Sequence, residues 1–256
     1  MLKISDTMKR SLLTFHLVVT IVVFLYAALI YILFPHLVLR ILVWTLFTEL
    51  VCAVFLFKCS SLLMDTDGEP LQRLNAANII TLARILLVPS ISLFLFNGFP
   101  FVGAALYALG ASLDIVDGLV ARRFDRVTKM GVMLDPLGDI LTTFVVFFYF
   151  WSRSLVPDWL FAILLIRYAE FFAGLAILAG FGAIPRLKAT IAGKVAAVVQ
   201  GPLILFLIIL PALPEGAVST KVISSSYYVL GFAFVSVIIS QSIIGIKALY
   251  LKRSMI

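Results

Sequence analysis

The sequence predicts an all-α integral membrane protein of about eight transmembrane helices. Three observations lead there. Hydrophobic residues make up 63% of the 256 positions and charged residues only 13%, against roughly 25% charged in soluble domains. Mean hydropathy is +1.16. The apolar residues also gather in eight windows close to the ~20 residues that cross a bilayer core, at about 12–34, 38–57, 76–97, 101–121, 131–151, 157–180, 192–212 and 223–250.

The first window follows Lys3, Lys9 and Arg10, as in a signal peptide. It is longer than an h-region and has no small-residue cleavage site, so it reads as an uncleaved anchor. With the second window it forms an N-terminal transmembrane hairpin, residues 1–60, of unknown role. Glu49 lies inside that second window and reads as a structural acid paired with a neighbour. Cys52 and Cys59 have no His/Cys cluster around them and read as packing residues.

Residues 61–75 break the apolar text with Asp65, Asp67, Gly68, Glu69 and Pro70, the composition of a cytoplasmic loop. Leu71, Leu74 and Ala77 at helical spacing suggest a short juxtamembrane helix on the membrane surface. Residues 76–256 carry the other six windows, a six-helix catalytic core. Their outer connections, 97–100, 153–157 and 211–221, are marked by Gly or Pro and are too short for a soluble domain. The last window is long enough to tilt or to project from the membrane.

The net charge of +7 does not point to nucleic acid, because the basic residues sort by topology. With the N-terminus inside, inner segments hold Lys3, Lys9, Arg10, Lys58, Arg73, Arg122, Arg123, Arg126, Lys129, Arg186, Lys188, Lys194, Lys247, Lys252 and Arg253. Outer segments hold only Arg40, Arg153 and Lys221. That asymmetry fits the positive-inside rule with both termini cytoplasmic, and basic inner loops also attract anionic membrane lipids.

Chemistry concentrates between Asp114 and Asp139. Four carboxylates, Asp114, Asp117, Asp135 and Asp139, sit in text apolar enough to span a membrane. Each costs roughly 2.5–3.5 kcal/mol there, so together they mark a functional site. Asp114 and Asp117 are i,i+3 and Asp135 and Asp139 i,i+4, so each pair shares a helix face. Four hard oxygen donors converging on one point call for divalent cations, and Mg²⁺ or Mn²⁺ suits carboxylates together with substrate phosphates. Two such ions would serve phosphoryl chemistry. Gly118 and Ala121 flank the acidic face and allow close approach of a ligand. Arg122 ends that helix with a group suited to bidentate phosphate contact. Pro136 removes a helical hydrogen bond beside Asp135 and should bend the helix.

The fixed positions Asp114, Asp117, Gly118, Ala121, Arg122, Gly131, Asp135 and Asp139 resemble the signature of the CDP-alcohol phosphatidyltransferases, membrane enzymes of phospholipid synthesis. The resemblance covers about residues 70–256. Asn78, Thr81 and Arg84, followed by Pro89, also look like a signature of that family at the start of its first core helix. The resemblance implies transfer of a phosphatidyl group from CDP-diacylglycerol to an alcohol with release of CMP. It implies two divalent ions shared by the four aspartates, with Asp139 as general base. It implies a CDP-lipid site of Asn78, Thr81, Arg84, Gly118, Ala121, Arg122, Thr128 and Gly131. Gly193, Lys194 and Gln200 resemble the phosphatidylglycerophosphate synthase and cardiolipin synthase branch. On that pattern Lys129, Arg167, Arg186 and Lys194 are the acceptor-binding candidates and glycerol 3-phosphate the first-choice acceptor. Inositol phosphate, serine and phosphatidylglycerol are the alternatives. Two departures stand out: Ile140 follows the fourth aspartate where many relatives have a basic residue, and Tyr168 follows Arg167 where an acid is usual, the nearest acid being Glu170. Relatives commonly form homodimers, and the resemblance implies a bacterial inner membrane with the active site facing the cytoplasm. The rival from another class, an intramembrane cation transporter, would use the aspartates but gives no reason for Gly118, Ala121 and Arg122.

Overall fold

The computed structural model describes residues 6–59, 63, 71, 73–123, 128–180 and 191–253, and only the backbone of 117, 120–123, 129, 132, 133, 178–180, 191, 192 and 248–253. Each apolar window is a helix: α1 (Asp6–Leu33), α2 (Val38–Lys58), α3 (Ala76–Phe96), α4 (Pro100–Arg123), α5 (Lys129–Ser152), α6 (Asp158–Gly180), α7 (Ile191–Ile209) and α8 (Thr220–Arg253). Among the described residues seven of them are long and apolar enough to cross a membrane. In α4 the described apolar stretch runs Pro100–Val116 and already contains Asp114. Leu210–Ala212 continues α7 as a 3₁₀ turn around Pro211.

Local chemistry sets the helix ends. Asn75 caps α3, its side chain accepting the Asn78 N–H at 2.9 Å. The other end of α3 is a Schellman motif: Gly98 is left-handed (φ 83°), Phe99 N–H donates to Phe94 O at 2.9 Å, and Gly98 N–H donates to Leu95 O at 3.2 Å. The Phe94 and Phe99 rings meet across it, centroids 6.1 Å apart. Pro100 then opens α4, where its missing N–H costs nothing. Further along, α4 closes on α3 at Gly103, against the Leu95 side chain. The turn after α5 repeats the motif with Ser154 in the left-handed position (φ 54°).

The expected juxtamembrane helix is not found where it can be seen. Leu71, Leu74 and Asn75 are non-helical and Ala77 belongs to α3. The reason is that their backbone donors are engaged elsewhere: Leu71 N–H reaches Leu63 O at 2.9 Å, and Leu74 N–H reaches Ser11 Oγ at 3.2 Å. Residues 60–62, 64–70 and 72 lie outside the described residues.

The chain divides into two compact units, Met1–Val145 and Val146–Ile256, with the boundary inside α5. In the second unit α6 and α7 both pack on α8. Ala196 meets Ala233 and Val237 there, and the Tyr227 hydroxyl donates to Leu155 O at 2.6 Å. In the first unit α2 packs on both α1 and α3, and α3 on α4. The open end of the hairpin (Met8, Leu12, Leu56) shares one apolar cluster with Leu63, Leu74, Leu82, Ile85, Met130 and Leu134, with Cys52 and Cys59 packed against it. Both cysteines are free thiols.

Glu49 is buried, 6% exposed. Thr20 Oγ donates to its Oε1 at 2.9 Å, and His16 Nδ1 lies 3.8 Å away. One such interhelical contact in a membrane contributes about 0.6–1.7 kcal/mol, while an acid at the centre of a span costs about 2.5–3.5 kcal/mol. The contact does not offset the burial. Glu49→Leu should therefore stabilise the protein by about 1–3 kcal/mol, read as a rise in melting temperature in detergent. A fall in melting temperature would show that the His16–Thr20–Glu49 cluster is net stabilising.

Candidate active site

The site is built on the polar face of α3. Asn78, Thr81 and Arg84 recur every three residues and are almost fully buried, at 1%, 1% and 5% exposure. A polar row of this kind is tolerated among membrane helices only if neighbouring helices supply partners. The partners come from α4 and α5.

Arg84 is the junction. Its Nη1 pairs with Asp114 Oδ1 of α4 at 2.8 Å, and its Nη2 donates to the main-chain oxygen of Asp135 in α5 at 3.2 Å. One turn earlier Thr81 Oγ lies 3.0 Å from Asp135 Oδ1 and 3.1 Å from Ala77 O, its single proton serving both. Asn78 Oδ1 accepts from the Thr128 hydroxyl at 2.9 Å. Thr128 in turn accepts the N–H of Gly131 at 2.9 Å, the contact of an N-cap, and directly precedes α5. Three consecutive turns of α3 are thus tied to the start of α5, and the third of them to α4 as well.

Two glycines of α5 make this approach possible. A Cβ on Gly131 would stand 3.0 Å from Asn78 Oδ1 and 3.2 Å from Thr128 Oγ. A Cβ on Gly138 would stand 3.3 Å from Arg84 Nη2 and from Ile85. They are seven residues apart, about two helical turns, and so share one face. Gly131 is among the expected site residues; Gly138 is not, and its seven-residue spacing from Gly131 is the signal that could have found it. Asn75, the cap of α3, was also missed. An Asn directly before an apolar helical run carries that signal.

Of the other expected residues, Asp114, Asp135 and Asp139 are all exposed and Gly118 is half-buried. Asp139 stands one turn beyond Asp135 on α5. The side chains of Asp117, Ala121, Arg122 and Lys129 and the whole of Arg186 lie outside the described residues. Arg167 and Lys194 belong to the second unit. There Arg167 Nη1 donates to the buried Gln200 Oε1 at 3.1 Å, with its guanidinium carbon 5.4 Å from the Phe234 ring centroid, a cation–π geometry. Glu170 Oε1 accepts from Ser242 at 2.9 Å rather than from Arg167. Lys194 is exposed.

A family model for the CDP-alcohol phosphatidyltransferases matches residues 74–242. The chain belongs to this family. The match takes in α3 to α7 and most of α8, and begins just after the hairpin. Three relatives carry the name CDP-diacylglycerol–glycerol-3-phosphate 3-phosphatidyltransferase. The one from Rickettsia bellii is 36% identical over 87 residues, 33% of this chain and 48% of that protein. The one from Bacillus subtilis is 29% identical over 136 residues, 47% and 69%. The one from Aquifex aeolicus is 32% identical over 96 residues, 37% and 54%. The chain therefore spans about half the length of the first and third of these and more of the second.

Among the described residues no three carboxylates, histidines or cysteines gather closely enough to hold a metal ion; the side chain of Asp117 is not among them. What is visible suits a divalent cation in kind: hard carboxylate oxygens on two helices, with the Asp114 side chain 54% exposed and so accessible. The ion pair with Arg84 holds Asp114 in place without enclosing it.

The glycine contacts give a prediction. In a helix interior Gly→Ala ordinarily gains about 0.5–1 kcal/mol, and overpacking costs about 1–3 kcal/mol. Arg84 is held at Nη1 and Nη2, so Gly138→Ala should lower the melting temperature in detergent. Gly174→Ala, where a methyl meets nothing within 4 Å, should raise it.

Proposed function

We propose that the protein transfers a phosphatidyl group from CDP-diacylglycerol to glycerol 3-phosphate, releasing CMP. The observation that carries this reading is the position of the acidic pairs: Asp114 on α4 and Asp135 on α5 are brought to the Asn78–Thr81–Arg84 face of α3 within the span the family model matches. The names of the three relatives support the acceptor.

The reaction joins an alcohol oxygen to the phosphorus nearer diacylglycerol and breaks that phosphorus's bond to the bridging oxygen, which leaves with CMP. Asp139, exposed on α5 one turn beyond Asp135, takes the proton of the attacking hydroxyl. Arg122, Gly118, Ala121, Thr128 and Gly131 form the receptor for the CDP-lipid, together with Asn78, Thr81 and Arg84. Arg84 and Thr81 act mainly by fixing Asp114 and Asp135. Mg²⁺ or Mn²⁺ would be held by Asp114, Asp117, Asp135 and Asp139 and would supply charge neutralisation at the diphosphate. Lys129, Arg167, Arg186 and Lys194 are the cations available for the acceptor's phosphate. The asymmetry of basic residues supports placing the site and both termini at the cytoplasmic face, and the bacterial relatives support an inner membrane. A homodimer is the assembly that the family resemblance implies.

Two measurements test the reading. Asp139→Asn should lower CMP release by at least about 100-fold, the scale of general base catalysis, with the melting temperature unchanged; full activity in that variant removes Asp139 as the base. Radiolabelled CDP-diacylglycerol offered with glycerol 3-phosphate, inositol phosphate, serine or phosphatidylglycerol should give product with the first. Turnover of another alcohol alone would reassign the acceptor.

A further inference from the structure

The hairpin lies outside the family match, yet it lines a large groove together with α3. Because α2 packs on both α1 and α3, a groove of about 1100 Å³ opens between α1 and α3, above the ~300–1,000 Å³ of ordinary small-molecule sites. Its walls are Val18, Val19, Val22 and Val23 of α1 and Leu86 and Leu87 of α3. Val18 and Val22 are half exposed, so the groove is open along its side. At one end stand Arg10 and Arg73, with Thr7, Ser11 and Thr14. The opposite end is closed by Tyr26, Thr45 and Ser90.

The two ends differ in charge. Asp6, the one acid among the described residues at the rim, is paired with Lys9 at 3.1 Å. Arg10 and Arg73 make no ion pair with any described residue. The rim thus presents two cations, Arg10 and Arg73, to the groove. The apolar part fits a lipid chain in length: Ser11 to Tyr26 spans about 22 Å of helix at 1.5 Å per residue, compared with ~15 Å for one leaflet of a ~30 Å hydrocarbon core. The groove is also separate from the aspartate site. At about 100° per residue, Ile79, Ala83, Leu86, Leu87 and Ser90 centre about 180° around α3 from Asn78, Thr81 and Arg84.

We propose that this groove is a second lipid site, holding an acyl chain of an anionic membrane phospholipid whose phosphate rests on Arg10 and Arg73. It is a resident lipid, not the substrate, and the proposal does not depend on the transferase reading. The site joins the hairpin to α3 through a lipid where the two helices do not touch closely.

The test reads retained lipid, not turnover. The full chain, washed free of lipid in detergent, is incubated with mixed micelles of phosphatidylglycerol or of phosphatidylcholine with the same acyl chains. Bound lipid is then counted by native mass spectrometry. The wild-type protein should keep about one phosphatidylglycerol per chain and keep phosphatidylcholine far less. Arg10→Gln with Arg73→Gln should weaken phosphatidylglycerol retention on the order of 10- to 30-fold, the effect of two cations at a lipid surface. Val19→Trp fills the groove and keeps both arginines; it should abolish retention of both lipids, and it carries the test alone if the double variant does not fold. Equal retention of the two lipids by the wild-type protein, or retention unchanged in the variants, would overturn the proposal.

Discussion

A guanidinium buried among membrane-spanning helices has no water to turn to, so the helices around it must supply both its countercharge and its hydrogen-bond acceptors. Arg84 is in that position, 5% exposed in α3. It takes a carboxylate from α4 and a main-chain carbonyl from α5. Those two demands fix how α4 and α5 are turned about their own axes. Once Asp114 must face Arg84, Asp117 is one turn further along the same helix. Once Asp135 must present its carbonyl to Arg84, Asp139 follows one turn later on α5. The acidic site is in this sense a consequence of satisfying one cation.

The energy of the ion pair is not what makes it important. Arg84 is buried while Asp114 is half exposed, so the attraction is set against the cost of taking the guanidinium out of water. Removing one partner is a different matter, because it strands a buried charge. The pair therefore specifies geometry more than it adds stability. Gly131 and Gly138 belong to the same arrangement, since the polar face of α3 can approach α5 only where α5 carries no side chain. Glu49 in the hairpin follows the same rule, with Thr20 as its partner.

The sequence made the helices legible because crossing a bilayer demands a length of apolar text that chance rarely supplies, and Gly98 and Pro100 mark a boundary by backbone geometry. It also made the aspartates legible, because their cost in hydrocarbon is independent of fold. What it could not show was pairing across helices. The i,i+3 spacing of Asn78, Thr81 and Arg84 gives a shared face but not what that face meets, so the cap formed by Thr128 and the bond from Thr81 to Asp135 appear only in three dimensions. Leu71, Leu74 and Ala77 have helical spacing too. There the periodicity misleads, because Ser11, far away in sequence, takes the Leu74 N–H that a helix would have used. Arg167 shows the same limit in the second unit: its partner is Gln200 on another helix, not the acid three residues away.

The sidedness of α3 follows from the solvent in which it sits. A helix in water buries its apolar stripe and exposes its polar one. In α3 the polar stripe is the buried one, because only other helices can satisfy Asn78, Thr81 and Arg84, while hydrocarbon is an adequate neighbour for Ile79, Ala83, Leu86 and Leu87. The inversion leaves the outward face free of any role in the acidic site. A hairpin placed against that face can share the apolar cluster around Leu82 and Ile85 at its open end and the Phe34–Phe94–Phe99 aromatic contacts at its turn, and need not touch the chemistry. Between those two attachments α1 and α3 stand apart. In a bilayer such a gap is filled by lipid at no cost, so the hairpin needed no complementary side chains along its middle, and the four valines of α1 are sufficient there.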